Sequence, residues 1–111
     1  MKVKTEIKDD AVVFHLSGKI MGGEESTLFH GQIHEQIDAG KKKVVIDLGD
    51  VEWMNSSGIG MLISILTTVK NNKGELRIAN TPKKVQNLIN IVQIERILKS
   101  YDSVEDALKS F

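Results

Sequence analysis

Two apolar segments set close together constrain this chain more than anything else in it: Val44-Val45-Ile46-Asp47-Leu48 and Met61-Leu62-Ile63-Ser64-Ile65-Leu66. The first is short, β-branched and almost continuously apolar, as a central parallel strand buried on both faces must be. The second has helical spacing. Ile59, Leu62, Ile63, Leu66 and Val69 form one stripe, with Met61, Ile65 and Thr68 on its flank. A buried strand that feeds a helix predicts a further strand parallel to the first, and hence an α/β sheet. The link between the segments, Trp53-Met54-Asn55-Ser56-Ser57-Gly58-Ile59-Gly60, ends where a new helix has unpaired backbone N–H groups. Those groups and the helix macrodipole favour negative charge. Ser56 and Ser57 sit on that spot. One of them is expected to cap the helix, and the other has no structural duty visible in the sequence. Gly58 and Gly60 strip side chains from the next alternate positions, so that a partner's backbone or a phosphate can approach.

The rest of the chain fits the same alternation. Val3 to Ile7, a turn at Asp9-Asp10 and Ala11 to Leu16 read as an opening hairpin ended by Ser17-Gly18. His15 is expected on its polar side. Lys19 to Gly23 reads as a loop. Glu24 and Glu25 open a helix with Phe29, Ile33 and Ile37 inward, Leu28 at the edge and Gly40 closing it. Glu75 to Ala79 is a third inner strand. Thr81 as cap and Pro82 as first helical residue start the next helix, whose core face is Val85, Leu88, Ile89 and Val92. A short turn or strand follows around Ile97-Leu98. Ser103, with Asp106 three residues on, opens a closing helix. The expected fold is α/β: one domain over residues 1–111, a mixed, mostly parallel β-sheet with the first strand antiparallel at one edge, and about four helices.

Several functions are excluded by residue type. There is no cysteine, so no disulfide and no thiolate chemistry, which fits a reducing cytoplasm. No apolar run reaches the ~18 residues of a membrane span, and no signal-peptide core is present. Lys plus Arg balances Asp plus Glu at 15 each, so no global field draws the chain to nucleic acid. His30 and His34 lie one helical turn apart, but no acid stands at a matching position, and no metal is expected. Hydrolase elbow, phosphate-binding loop and dinucleotide fingerprint are all missing, so no catalytic residue and no cofactor are assigned. Asp47 is read as an acceptor for loop N–H groups rather than as a catalytic acid. The helix face Gly60, Ser64, Thr67 and Asn71 has small side chains and no charge. A contact surface and close packing beneath another element both account for it.

The run from the buried strand through Val51-Glu52-Trp53-Met54 and Asn55-Ser56-Ser57-Gly58-Ile59-Gly60 into the apolar helix resembles the STAS domain, and more narrowly the bacterial anti-sigma factor antagonists. In that family the loop reads Met-Asp-Ser-Ser/Thr-Gly-Leu-Gly, and a partner kinase phosphorylates the first hydroxyl residue. The resemblance implies Ser56 as that acceptor. It implies docking through Asn55, Ser56, Ser57, Gly58, Gly60, Met61 and Ser64 on an anti-sigma factor that is itself a serine kinase. It also implies a monomer or weak homodimer. Two acids of the family pattern are absent: Asn55 stands for the Asp before the acceptor, where it can still make a capping or loop hydrogen bond, and Gly18-Lys19-Ile20-Met21 lacks the other. A constitutive scaffold, or a small module binding an anion or lipid, is the alternative within the same fold.

Overall fold

The computed structural model describes all residues 1–111. The chain alternates β1 (Lys2–Lys8), β2 (Ala11–Ile20), α1 (Glu24–Asp38), β3 (Lys43–Met54), α2 (Ser56–Asn71), β4 (Glu75–Ala79), α3 (Lys83–Ile91), β5 (Ser100–Tyr101) and α4 (Val104–Lys109). The strands form one sheet in the order β1-β2-β3-β4-β5. β1 pairs antiparallel with β2, and every other pairing is parallel. The mixed sheet with an antiparallel edge therefore stands as expected, and so do the four helices.

Side-chain alternation divides the core. Val12, Phe14 and Leu16 of β2 and Val44, Ile46 and Leu48 of β3 meet Phe29, Ile33 and Ile37 of α1, Leu62, Ile65 and Leu66 of α2, and Val85 and Ile89 of α3. On the opposite face Val13, Val45 and Ala79 pack under Ala107 of α4, flanked by Tyr101, Val104 and Phe111. β3 is thus buried on both faces, which its near-continuous apolar run requires. Phe14 and Phe29 pack edge to face at 5.2 Å between ring centroids.

The structure departs from the sequence reading in four places. β2 does not stop at Ser17-Gly18. It runs to Ile20, because β3 also runs on, to Met54, and the two strands keep pairing as far as Ile20 with Met54. The register slips twice along the way, after His15 and after Gly18, with β3 carrying the extra residue each time. In α2 the buried set is Ile59, Met61, Leu62, Ile65, Leu66 and Val69, while Ile63 is only half-buried. The helix is rotated so that the expected flank faces the sheet. Thr81 does not cap α3. Its hydroxyl bonds Ser100 Oγ at 2.7 Å, and Pro82 takes the cap position without a side-chain bond. Val92 lies past the end of α3 and is exposed.

Candidate functional site

The β3–α2 junction forms a corner in which the backbone is tied down and two hydroxyls are left free. Met54 and Ile20, both buried, anchor it from below. The Asn55 N–H donates to Ile20 O at 3.2 Å, so the last pairing of β2 with β3 continues into the link. Asn55 is extended and is the N-cap of α2: its Oδ1 accepts from Gly58 N at 2.9 Å. Its Nδ2 donates to Met21 O at 3.3 Å. The cap is therefore supplied not by a serine hydroxyl but one residue earlier by the Asn55 carboxamide, which makes both the capping and the loop bond open to it in the sequence. Neither Ser56 nor Ser57 has a hydrogen-bond partner within the chain, and both are exposed.

The two glycines of the corner play opposite parts. A Cβ on Gly58 would lie 2.5 Å from Met54 Cγ and 2.9 Å from Ile20 O. Gly58 is buried and lets α2 seat against the strands. A Cβ on Gly60 would meet nothing within 4 Å. This corrects the expected contact surface: Gly58 and Met61, the latter 4% exposed, point inward and belong to the core. Asn55, Ser56, Ser57, Gly60 and Ser64 remain accessible. Thr67 and Asn71 continue the exposed line along α2, so this face is open and not packed beneath another element. His30 on α1 brings Nε2 to 3.4 Å from Ser64 Oγ and 3.5 Å from Thr68 Oγ1, which ties the two helices side by side. The His30 and His34 rings sit 6.2 Å apart, and no group of three His, Cys, Asp or Glu is arranged to hold a metal ion.

The sequence reading missed two exposed apolar residues at this corner. Trp53, at the end of β3, is 43% exposed, and Met21, just past β2, is 53% exposed. Strand alternation carried the signal, since Ile20 and Met54 point inward and leave their neighbours turned out.

A second polar region lies at the carboxyl ends of β4 and β5, beside the middle of β3 where its pairing with β4 stops. There Asp47, Asp50, Asn80, Thr81, Gln86, Ser100 and Asp102 line a broad open depression. Asp47 is fully engaged. Its Oδ1 accepts from Gly49 N at 2.9 Å and from Asn80 Nδ2 at 3.0 Å, and its Oδ2 lies 2.7 Å from His15 Nδ1. Burial works against its charge, but the bonds from Asn80, Gly49 and His15 outweigh burial and hold the carboxyl below the usual range. His15 Nε2 reaches Glu6 Oε1 at 3.0 Å. Burial opposes protonation of the ring, yet Glu6 and Asp47 together raise its pKa above the ordinary imidazole value. The structural role expected of Asp47 is the one it has.

Sheet order and corner together define a class: a small open α/β module whose central strand delivers a polar, accessible turn to a helix start. The chain belongs to the STAS domain family, whose description matches residues 2–107. It is similar to TM1081 from Thermotoga maritima, whose crystal structure superposes with a TM-score of 0.87 at 24% identity, covering 97% of this chain and 92% of that one. It is 22% identical over 109 residues to the anti-sigma F factor antagonist of Paenibacillus polymyxa, covering 97% of this chain and 92% of the relative. The fold is also that of the Bacillus anti-sigma factor antagonist SpoIIAA. Its unphosphorylated form gives a TM-score of 0.75 at 15% identity, covering 98% and 96% of the two chains. Its phosphorylated form gives 0.76 at 14%, covering 98% of each. No helix of this chain is long and apolar enough to cross a membrane.

Proposed function

We propose that this protein is an anti-sigma factor antagonist switched by phosphorylation of Ser56. The observation that carries the reading is the Ser56 hydroxyl itself. It is exposed, bonded to nothing in the chain, and held at the first residue of α2 by a backbone fixed on both sides. Unmodified, the corner docks on an anti-sigma factor that is also a serine kinase, and the sigma factor is released. The kinase then transfers the γ-phosphoryl of its own ATP to Ser56 Oγ, releasing ADP and the hydroxyl proton. The exchange takes place in the cytoplasm, where ATP and sigma factors are found. This chain contributes the acceptor and the docking surface, and neither cofactor nor catalytic group.

Phosphorylation adds about −1.5 to −2 charges at one point. Within the protein that charge is well placed, because α2 presents its N-terminus there and has no acid in its first turn. Across an interface fitted to a neutral hydroxyl it is costly, since a desolvated or like-charge contact costs several kcal/mol. A loss of about 2.7 kcal/mol is already a hundredfold in affinity, so dissociation requires no refolding.

The test is co-expression with the kinase, followed by peptide mass mapping and a binding measurement. One phosphate on Ser56, and a Ser56→Asp protein that binds the kinase at least about a hundredfold more weakly than wild type, are the expected results. No phosphate on Ser56, or a Ser56→Asp protein that binds as tightly as wild type, rejects the reading.

A further inference from the structure

The β2–α1 loop is fastened to the Ser56 corner by one side chain. Asn55 uses both ends of its carboxamide. Oδ1 caps α2 at Gly58 N, and Nδ2 donates to Met21 O. Only this orientation of the amide satisfies both partners. An ionised aspartate is an acceptor at both oxygens, so it would keep the cap and repel the Met21 carbonyl. The loop is also shaped to lie against the corner. Gly22 and Gly23 have φ of 83° and 74°, and a Cβ on Gly22 would come within 2.8 Å of Ser57 Cβ. So close an approach needs glycine. Resting there, the loop carries an exposed Met21, and the adjacent end of β3 carries an exposed Trp53. Both large apolar residues adjoin the corner in the chain, with exposed acids next to them at Glu24 and Glu52.

We propose that the loop Met21–Gly23 is the second half of the Ser56 docking surface, that Asn55 is the positioning residue coupling it to the acceptor turn, and that the partner meets Met21 and Trp53 with an apolar socket. The proposal rests on the reading of Ser56 given above, and it names the partner's chemistry at Met21 and Trp53: an apolar socket. Met21 and Trp53 supply affinity, since unhydrated aromatic and thioether contacts dominate such interfaces. Ser56 supplies the switch. Asn55 governs whether the two act together.

Two measurements test it. The first needs no partner. In Asn55→Asp the Gly58 amide stays protected from exchange by the retained cap, while the backbone order parameters of Gly22 and Gly23 fall below about 0.6; order parameters unchanged from wild type in this loop overturn the coupling. The second uses the kinase that phosphorylates Ser56 in the wild-type protein. Met21→Ala and Asn55→Asp raise its Kd by about tenfold, while the ratio of Kd values with and without the Ser56 phosphate stays at its wild-type value in Met21→Ala. Ile91→Ala, which trims a still more exposed apolar residue at the end of α3, leaves Kd unchanged. Equal losses from Ile91→Ala and Met21→Ala, or no loss from Met21→Ala, overturn the docking surface while leaving the Ser56 reading in place. A wild-type protein that neither binds nor is modified by a kinase removes both.

Discussion

Asp47 and Ser56 both stand on the path that β3 takes from the sheet into α2, and they differ in one respect that separates structure from function. Asp47 is half-buried, and both its oxygens are engaged, by Gly49, Asn80 and His15. Ser56 is exposed and has no partner. A polar group with its bonding capacity filled by its own chain is committed to the fold. A group that the fold positions and then leaves idle is available to another molecule. Position on a central strand does not by itself make a candidate site; the polar group must also be left unengaged by its own chain.

The largest effect that can break this comparison is on stability at Asp47. Asp47→Ala strands the Gly49 N–H, the Asn80 amide and the His15 ring together, and is expected to cost about 2 kcal/mol in denaturant unfolding. Ser56→Ala removes nothing the fold uses and should stay within about 0.5 kcal/mol of wild type. Equal losses at the two positions would erase the distinction.

The two glycines of the corner sharpen it at the next size down. Gly58→Ala forces a Cβ onto Met54 and Ile20 O and should destabilise by about 1–2 kcal/mol, overpacking exceeding the gain in helix propensity. Gly60→Ala enters open space within α2 and should raise the unfolding free energy by about 0.5–1 kcal/mol. A shared sign for both variants would mean that the corner is not divided into an inner and an outer side.

The smallest effect is in the pH profile. The folded-state pKa of His15 is raised, so its contribution is complete below the unfolded imidazole value of about 6.5 and is lost as pH rises through the folded value. That of Asp47 is depressed, so its contribution is complete above about pH 3.9 and fades as pH falls through the folded value. The cluster therefore supports the fold most between those limits. Urea melts at pH 6 and pH 8 should show wild type losing about 0.5 kcal/mol relative to His15→Gln on going to the higher pH, a size set by solvent screening of a partly exposed ion pair. Parallel curves would show that Glu6 and Asp47 do not hold the ring charged.

The fold was legible because its determinants are local. Val44 to Leu48 cannot be hidden except between two layers. The helical periods of Phe29, Ile33 and Ile37, and of Val85 and Ile89, assign those helices to the sheet without knowledge of their neighbours. The Ser103 cap read correctly, its Oγ accepting from Asp106 N at 3.0 Å, because both partners lie within one turn. What failed to show depends on contacts distant in sequence. Gly58 reads as an open approach until Ile20 is seen beneath it. Thr81 reads as a cap until Ser100 arrives beside it. β2 reads as ending at Gly18 because nothing local reveals that β3 continues opposite it. At the candidate site, Ser56 was read from the loop pattern, whereas the tie between the Met21 loop and that turn depends on the bond to Asn55, across 34 residues of chain.

The outward side of α2 presents Gly60, Ser64, Thr67 and Asn71 and no ionisable group among them. Such a surface exerts little pull on an approaching macromolecule, so encounters with it proceed at the unsteered rate of about 10⁵–10⁶ M⁻¹s⁻¹ and respond weakly to ionic strength. A dianion at the head of the same helix would change that character. Collisions with the modified protein would become sensitive to salt, although the backbone beneath had not moved.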